Sequence, residues 1–138
     1  MPPSPPHGTA TGEQPTLDPE VLVTCASISL RTSAFSDAHA LLTAALAMDA
    51  DQPRAWGMLG LTLDRMNRKD EARDAYERAV AQGDRDPNTL LDLAQLYVDA
   101  AEDDRARSLL SWILVEVDHA PITKQHALRM LQMLEARR

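Results

Sequence analysis

The chain has 138 residues and a formal net charge of −7, a length that suits one domain with a real core. The acidic balance argues against a nucleic-acid partner, because a phosphate backbone is repelled by such a surface unless a basic stripe offsets it. The one cysteine, Cys25, rules out an intramolecular disulfide and fits a reducing compartment. No apolar run approaches the roughly 20 residues of a membrane span, and no charged-then-apolar leader is visible, so the expected location is cytoplasmic.

Residues 1–17 read MPPSPPHGTATGEQPTL and hold five of the nine prolines. Such a segment cannot bury enough apolar area to offset its ordering entropy, and a disordered Pro-rich tail is expected. The remaining prolines, Pro19, Pro53, Pro87 and Pro121, are 34 residues apart each time. Proline is tolerated at the first helical position, where its missing N–H would be unpaired anyway. Each is preceded by a residue that would be the N-cap, and Asp18 and Asp86 suit that role well.

The same period continues inside the units. Ala38, Ala72 and Ala106 keep it, as do Leu42, Tyr76 and Leu110, and Ala45, Ala79 and Ile113. Ser36, Asp70 and Asp104 match too, and are expected to cap a second helix in each unit. Val and Ile never gather into alternating runs, so strands are not expected. Helices are predicted over about 20–32, 37–48, 54–67, 70–82, 88–100, 104–117 and 122–136, with ends uncertain by about two to four residues.

These columns resemble the tetratricopeptide repeat (TPR) family. Trp56, Leu59, Gly60, Leu63, Ala72, Tyr76 and Ala79 occupy its signature positions in order. The third unit follows with Leu90, Leu93, Ala94, Tyr97, Ala106, Leu110 and Ile113, and the first with Leu22, Cys25, Ala26, Ser29, Ala38, Leu42 and Ala45. The resemblance implies an all-α superhelix of three TPR helix pairs (19–52, 53–86, 87–120) within a domain over 18–138, closed by a C-terminal capping helix over 121–136. Physically, small residues such as Gly60 and Ala94 let two helices approach, large ones such as Trp56 and Tyr76 fill the space between units, and stacking covers faces one unit cannot bury alone. Cys25 is expected as a small buried residue on the first helix. On the last helix Ile122, Ala127, Leu128, Leu131 and Leu134 are expected to form the covering stripe. Met130 and Met133 lie off it, either exposed for adaptable contact or at the edge of the cap.

No catalytic, cofactor or metal constellation is expected. His7, His39, His119 and His126 lack zinc spacing. Gly57 and Gly60 lie within a helix rather than in a phosphate loop, and Asp99, Glu102, Asp103 and Asp104 lack a calcium-loop pattern. Arg65, Arg68, Lys69 and Arg73 are interleaved with Asp64, Asp70, Glu71 and Asp74, a solvated mixed-charge face.

The family resemblance implies that the first helix of each unit lines a concave surface through its second, fifth, ninth and twelfth positions. Here these are Glu20, Val23, Ser27 and Leu30, then Arg54, Gly57, Leu61 and Asp64, then Asn88, Leu91, Gln95 and Val98. They contain no lysine, so a two-carboxylate clamp of the kind some TPR proteins use is not expected. The apolar members and the space left by Gly57 suit a protein or peptide segment. The stretch 48–60, MDADQPRAWGMLG, is similar to the second repeat of type III secretion translocator chaperones, which hold a secreted protein in this groove. The Pro-rich leader departs from that family, which carries an N-terminal helix involved in dimer formation. The alternative is a structural assembly subunit, with Trp112, Ile113 and Val115 as a contact surface, although at least two of these are expected in the core.

Overall fold

The computed structural model describes residues 18–138, so the Pro-rich segment 1–17 lies outside the described residues. Among these described residues seven helices follow one another: α1 (Pro19–Arg31), α2 (Phe35–Met48), α3 (Pro53–Arg65), α4 (Lys69–Ala81), α5 (Pro87–Asp99), α6 (Asp103–Glu116) and α7 (Pro121–Ala136). No strand occurs among the described residues. Each register proline opens its helix at the first position, where its fixed φ favours the helix. The Asp18 carboxylate accepts from the Glu20 N–H at 3.0 Å and that of Asp86 from the Asn88 N–H at 2.9 Å, so both act as the expected caps.

The second helices begin differently from expectation. Ser36, Asp70 and Asp104 lie inside the first turn, and the cap positions fall on Ala34, Arg68 and Glu102, none of which caps through its side chain. The reason lies in the turn before them. Ser33, Asn67 and Ala101, again 34 apart, take positive φ values of 59°, 61° and 60°. The next N–H reaches back to the carbonyl of Ser29, Leu63 or Tyr97, each at 2.8 Å. This left-handed closure satisfies the orphan carbonyls of the first helix and turns the chain directly into the second. Asp70, Asp103 and Asp104 then complement the helix dipole from the first turn.

The helices pair as α1 with α2, α3 with α4 and α5 with α6. Each pair stacks on the next through α2–α3, α4–α5 and α6–α7. The first helices α1, α3, α5 and α7 also touch in series, whereas the backbones of α2, α4 and α6 do not approach one another. A row of first helices therefore forms an inner wall, with the second helices as separate ribs outside. The core follows the repeated columns: Ala38, Ala72 and Ala106, and Leu42, Tyr76 and Leu110, are all essentially inaccessible. A Cβ on Gly60 would lie 2.6 Å from the Tyr76 ring. Glycine is thus required where the partner is tyrosine, while Ala26 and Ala94 suffice opposite the smaller Leu42 and Leu110.

Three expectations are corrected. Cys25 is exposed rather than buried, because no helix precedes α1 among the described residues to cover it. On α7 the buried face is Thr123, Ala127 and Leu134, with Met130 and Leu131 packed partly against the core. Ile122, Leu128 and Met133 are exposed. Of Trp112, Ile113 and Val115 on α6, only Ile113 is fully buried, while Trp112 and Val115 reach solvent.

Candidate functional site

Because the prolines start α1, α3 and α5 at the same point of the repeat, equal positions on the three helices point the same way. Their inner faces enclose a groove of about 770 Å³. Of the sequence-predicted residues, Ser27, Leu30, Arg54, Gly57, Leu61 and Asn88 line it. Glu20, Val23 and Arg54 border a smaller recess of about 420 Å³ between α1 and α3. Leu91 and Gln95 border another of about 330 Å³ between α5 and α7. Asp64 is turned to an ion pair with Lys69 at the start of α4, and Val98 is half-buried against the core.

Two assignments change. Val23 is only 6% exposed and belongs mainly to the core between α1 and its neighbours. Gly57 does not leave a vacant notch: a Cβ there would lie 2.8 Å from Asp84 Oδ2 and 3.3 Å from Thr89 Oγ1. The glycine lets the α4–α5 loop settle onto α3, so its role is packing of the groove wall.

The groove also contains residues that the sequence reading missed, among them Arg31, Met58, Tyr76, Asp84 and Asp92. The sixth position of each unit supplies Thr24, Met58, Asp92 and His126, and every one of them lines a hollow of the inner wall. The signal available was the 34-residue spacing itself. These four side chains share no chemistry, so the column does not stand out as a motif.

The resulting surface is part apolar and part charged, with both signs present. Leu30, Met58 and Leu61 form a shelf, bordered by Arg31, Arg54 and Arg85 and by Asp84, Asp86 and Asp92. The Tyr76 hydroxyl donates to Asp92 Oδ2 at 3.4 Å. Burial, helped by the Asp64 charge, pushes the Asp92 carboxyl above the usual carboxylate range, and burial together with Asp92 pushes the Tyr76 phenol up. Tyr76 therefore stays a neutral donor at the groove floor. Among the described residues no three His, Cys, Asp or Glu side chains gather where they could hold a metal ion, and no helix is long and apolar enough to cross a membrane.

Comparison with known proteins agrees with this architecture. The tetratricopeptide repeat family model matches residues 28–88, and no curated protein matches the sequence. Among solved structures the chain is similar to the Yersinia enterocolitica type III secretion chaperone SycD in complex with a peptide of the translocator YopD. The identity is 24%, over 85% of this chain and 89% of that one, with a TM-score of 0.70. It is similar to PcrH in complex with the chaperone binding region of PopD, at 20% identity over 85% and 88% of the two chains and a TM-score of 0.69. YrrB, a TPR protein with an unusual peptide-binding site, aligns at 18% identity over 86% and 63%, with a TM-score of 0.74. These likenesses show the fold: the chain is a TPR-type all-α superhelix, and it resembles the translocator chaperones in shape.

Proposed function

We propose that this chain is a non-catalytic binding module that holds a segment of another protein in its inner groove. Its narrower role in this reading is that of a cytoplasmic type III secretion chaperone for a secreted protein. The observation that carries the reading is the groove between α1, α3 and α5. A half-buried leucine shelf lies there beside polar anchors, the composition that suits capture of an extended or helical segment. Two of the solved structures similar to this chain are complexes, SycD with a peptide of the translocator YopD and PcrH with the chaperone binding region of PopD, which supports the same use of the fold here. The groove carries charges of both signs, so specificity would come from anchors such as Arg54 and Asp92 and affinity from the shelf.

Co-expression with the products of the neighbouring reading frames tests this. A soluble complex with a secreted protein is expected, and Leu61→Glu or Leu91→Glu should each abolish it while leaving helicity and melting nearly unchanged. Both leucines are half-buried, Leu61 in the groove and Leu91 in the adjoining recess between α5 and α7, so a partner that runs along the inner wall would cover both. A complex that survives both changes would show that the partner is held elsewhere.

A second reading, a structural subunit that self-assembles, is favoured by the exposure of Trp112 and Val115 on α6. Sedimentation of the chain alone separates the two: a concentration-dependent size supports assembly, and a monomer across the micromolar range removes it.

A further inference from the structure

The two junctions between helix pairs are built from the same columns but filled differently. At the first, the Trp56 side chain of α3 reaches from the α2–α3 loop to α4. Its Nε1–H donates to the Ala50 carbonyl at 2.7 Å, and the Arg78 guanidinium lies 4.9 Å from its ring centroid. At the second junction the residue 34 positions on is Leu90, and Arg78 is replaced by Trp112. Leucine is far smaller than an indole, and a cleft of about 590 Å³ opens between α4 and α6. Its apolar surface comes from Val80, Leu90, Leu93, Tyr97, Leu109 and Trp112. Leu90, Leu93 and Tyr97 occupy a different face of α5 from Asn88, Thr89 and Asp92, which line the groove. The cleft therefore lies on another face of α5 from the inner wall, with Arg85 bordering both.

Its mouth is basic. Arg85 borders it, held by the carbonyls of Val80 at 2.9 Å and Asp84 at 2.8 Å rather than by a carboxylate, with its guanidinium 5.4 Å from the Trp112 ring centroid. Arg105 lies 5.9 Å from the Tyr97 ring centroid and is offset by Glu102 at 3.4 Å and Glu77 at 3.9 Å. An aromatic ring entering here would find an apolar floor and a guanidinium at its edge, the same pairing that Arg78 and Trp56 make within the chain.

We propose that this cleft is a second docking site, on the outer side of the solenoid, which takes an aromatic side chain of a partner segment that carries an acidic residue beside it. The aromatic requirement follows from Trp56, which fills the equivalent space one unit earlier. The acidic neighbour follows from Arg85. Residues 1–17 contain no aromatic residue and cannot supply the ring. In a second copy the exposed aromatic side chain is Trp112, which is a wall of its own cleft. Docking two such faces would also bring both pairs of arginines together.

Methyl NMR of the full chain, titrated with the peptide acetyl-Glu-Trp-Glu-amide, tests the site. The methyl signals of Val80, Leu93 and Leu109 should shift, while those of Leu61 and Leu91 stay in place. Replacing the peptide's Trp by Ala should weaken binding by at least about tenfold, as for a buried aromatic anchor, and replacing its Glu residues by Gln should weaken it less. In the chain, Leu90→Trp should fill the cleft from within and abolish the shifts. Ser108→Trp, at an exposed rim position, should do the same if the first variant fails to fold. No shift at Val80, Leu93 and Leu109 at millimolar peptide, shifts confined to the groove, or undiminished binding to a folded Leu90→Trp or Ser108→Trp chain would overturn the proposal. So would self-association of the wild-type chain that either folded variant removes, since the occupant would then be a second copy.

Discussion

The two ends of the solenoid are open in complementary columns. On α1, Val21, Cys25 and Ile28 face solvent while Ala26 is fully buried. On α7 the positions equivalent to Val21 and Cys25, Thr123 and Ala127, are buried, whereas Leu128, equivalent to Ala26, is 47% exposed. In the middle units both sets are covered: Ala55, Leu59 and Thr62 on one side of α3, Gly60 on the other. One column set rests on the rib of the preceding pair and the other on the helix that follows. An end therefore exposes whichever neighbour it lacks, whatever residue occupies the column. Ile122 completes the picture. It shares its column with Glu20, Arg54 and Asn88, all exposed, so it belongs to the inner wall and not to the stripe that covers α6.

The largest effect should separate the middle from the N-terminal end. Leu59→Ala removes a side chain held between two helix pairs and should cost about 2–5 kcal/mol. Cys25→Ala, in the same column, should change stability by no more than about 0.5 kcal/mol. Urea unfolding of both variants checks this, and equal costs would show that something covers α1. The next effect separates the middle from the C-terminal end. Gly60→Leu drives a side chain into the Tyr76 ring and should cost about 1–3 kcal/mol, while Leu128→Gln should be within about 0.5 kcal/mol of wild type. Thermal melts compare the two. The smallest concerns how α7 is tied down. Arg137 reaches Asp103 at 2.7 Å, and Arg107 reaches Glu135 at 3.5 Å. The first link lies at the surface, whereas Arg107 Nε is buried, so Arg137→Ala should cost about 0–1 kcal/mol and the loss should shrink further in high salt. A larger loss would mean that ion pairs, not Ala127 and Leu134, hold α7 in place.

Much of this architecture could be read from the sequence, for a specific reason. The four register prolines mark where the inner helices start, because the peptide chemistry of proline acts locally. The inward residues Leu30, Leu61 and Leu91 were readable because the period carries the direction of a side chain from one unit to the next. The left-handed turns at Ser33, Asn67 and Ala101 were not readable. None is glycine, and only asparagine commonly favours that conformation. The turn is held by its closing hydrogen bond and by the packing of the two helices it joins. Asp92 went unread because its column is chemically mixed, and Gly57 was misread because Asp84, which fills the space above it, comes from a loop 27 positions further on.

By itself the sequence determined which segments are helical, how they pair and which faces turn inward, since periodicity and proline chemistry are properties of the chain alone. Tertiary structure decided which columns lie uncovered at the two ends and that Leu90 in place of Trp56 leaves a cleft between α4 and α6. Whether a given side chain is buried depends on the neighbour that stacks upon it, and no single position records whether that neighbour is there.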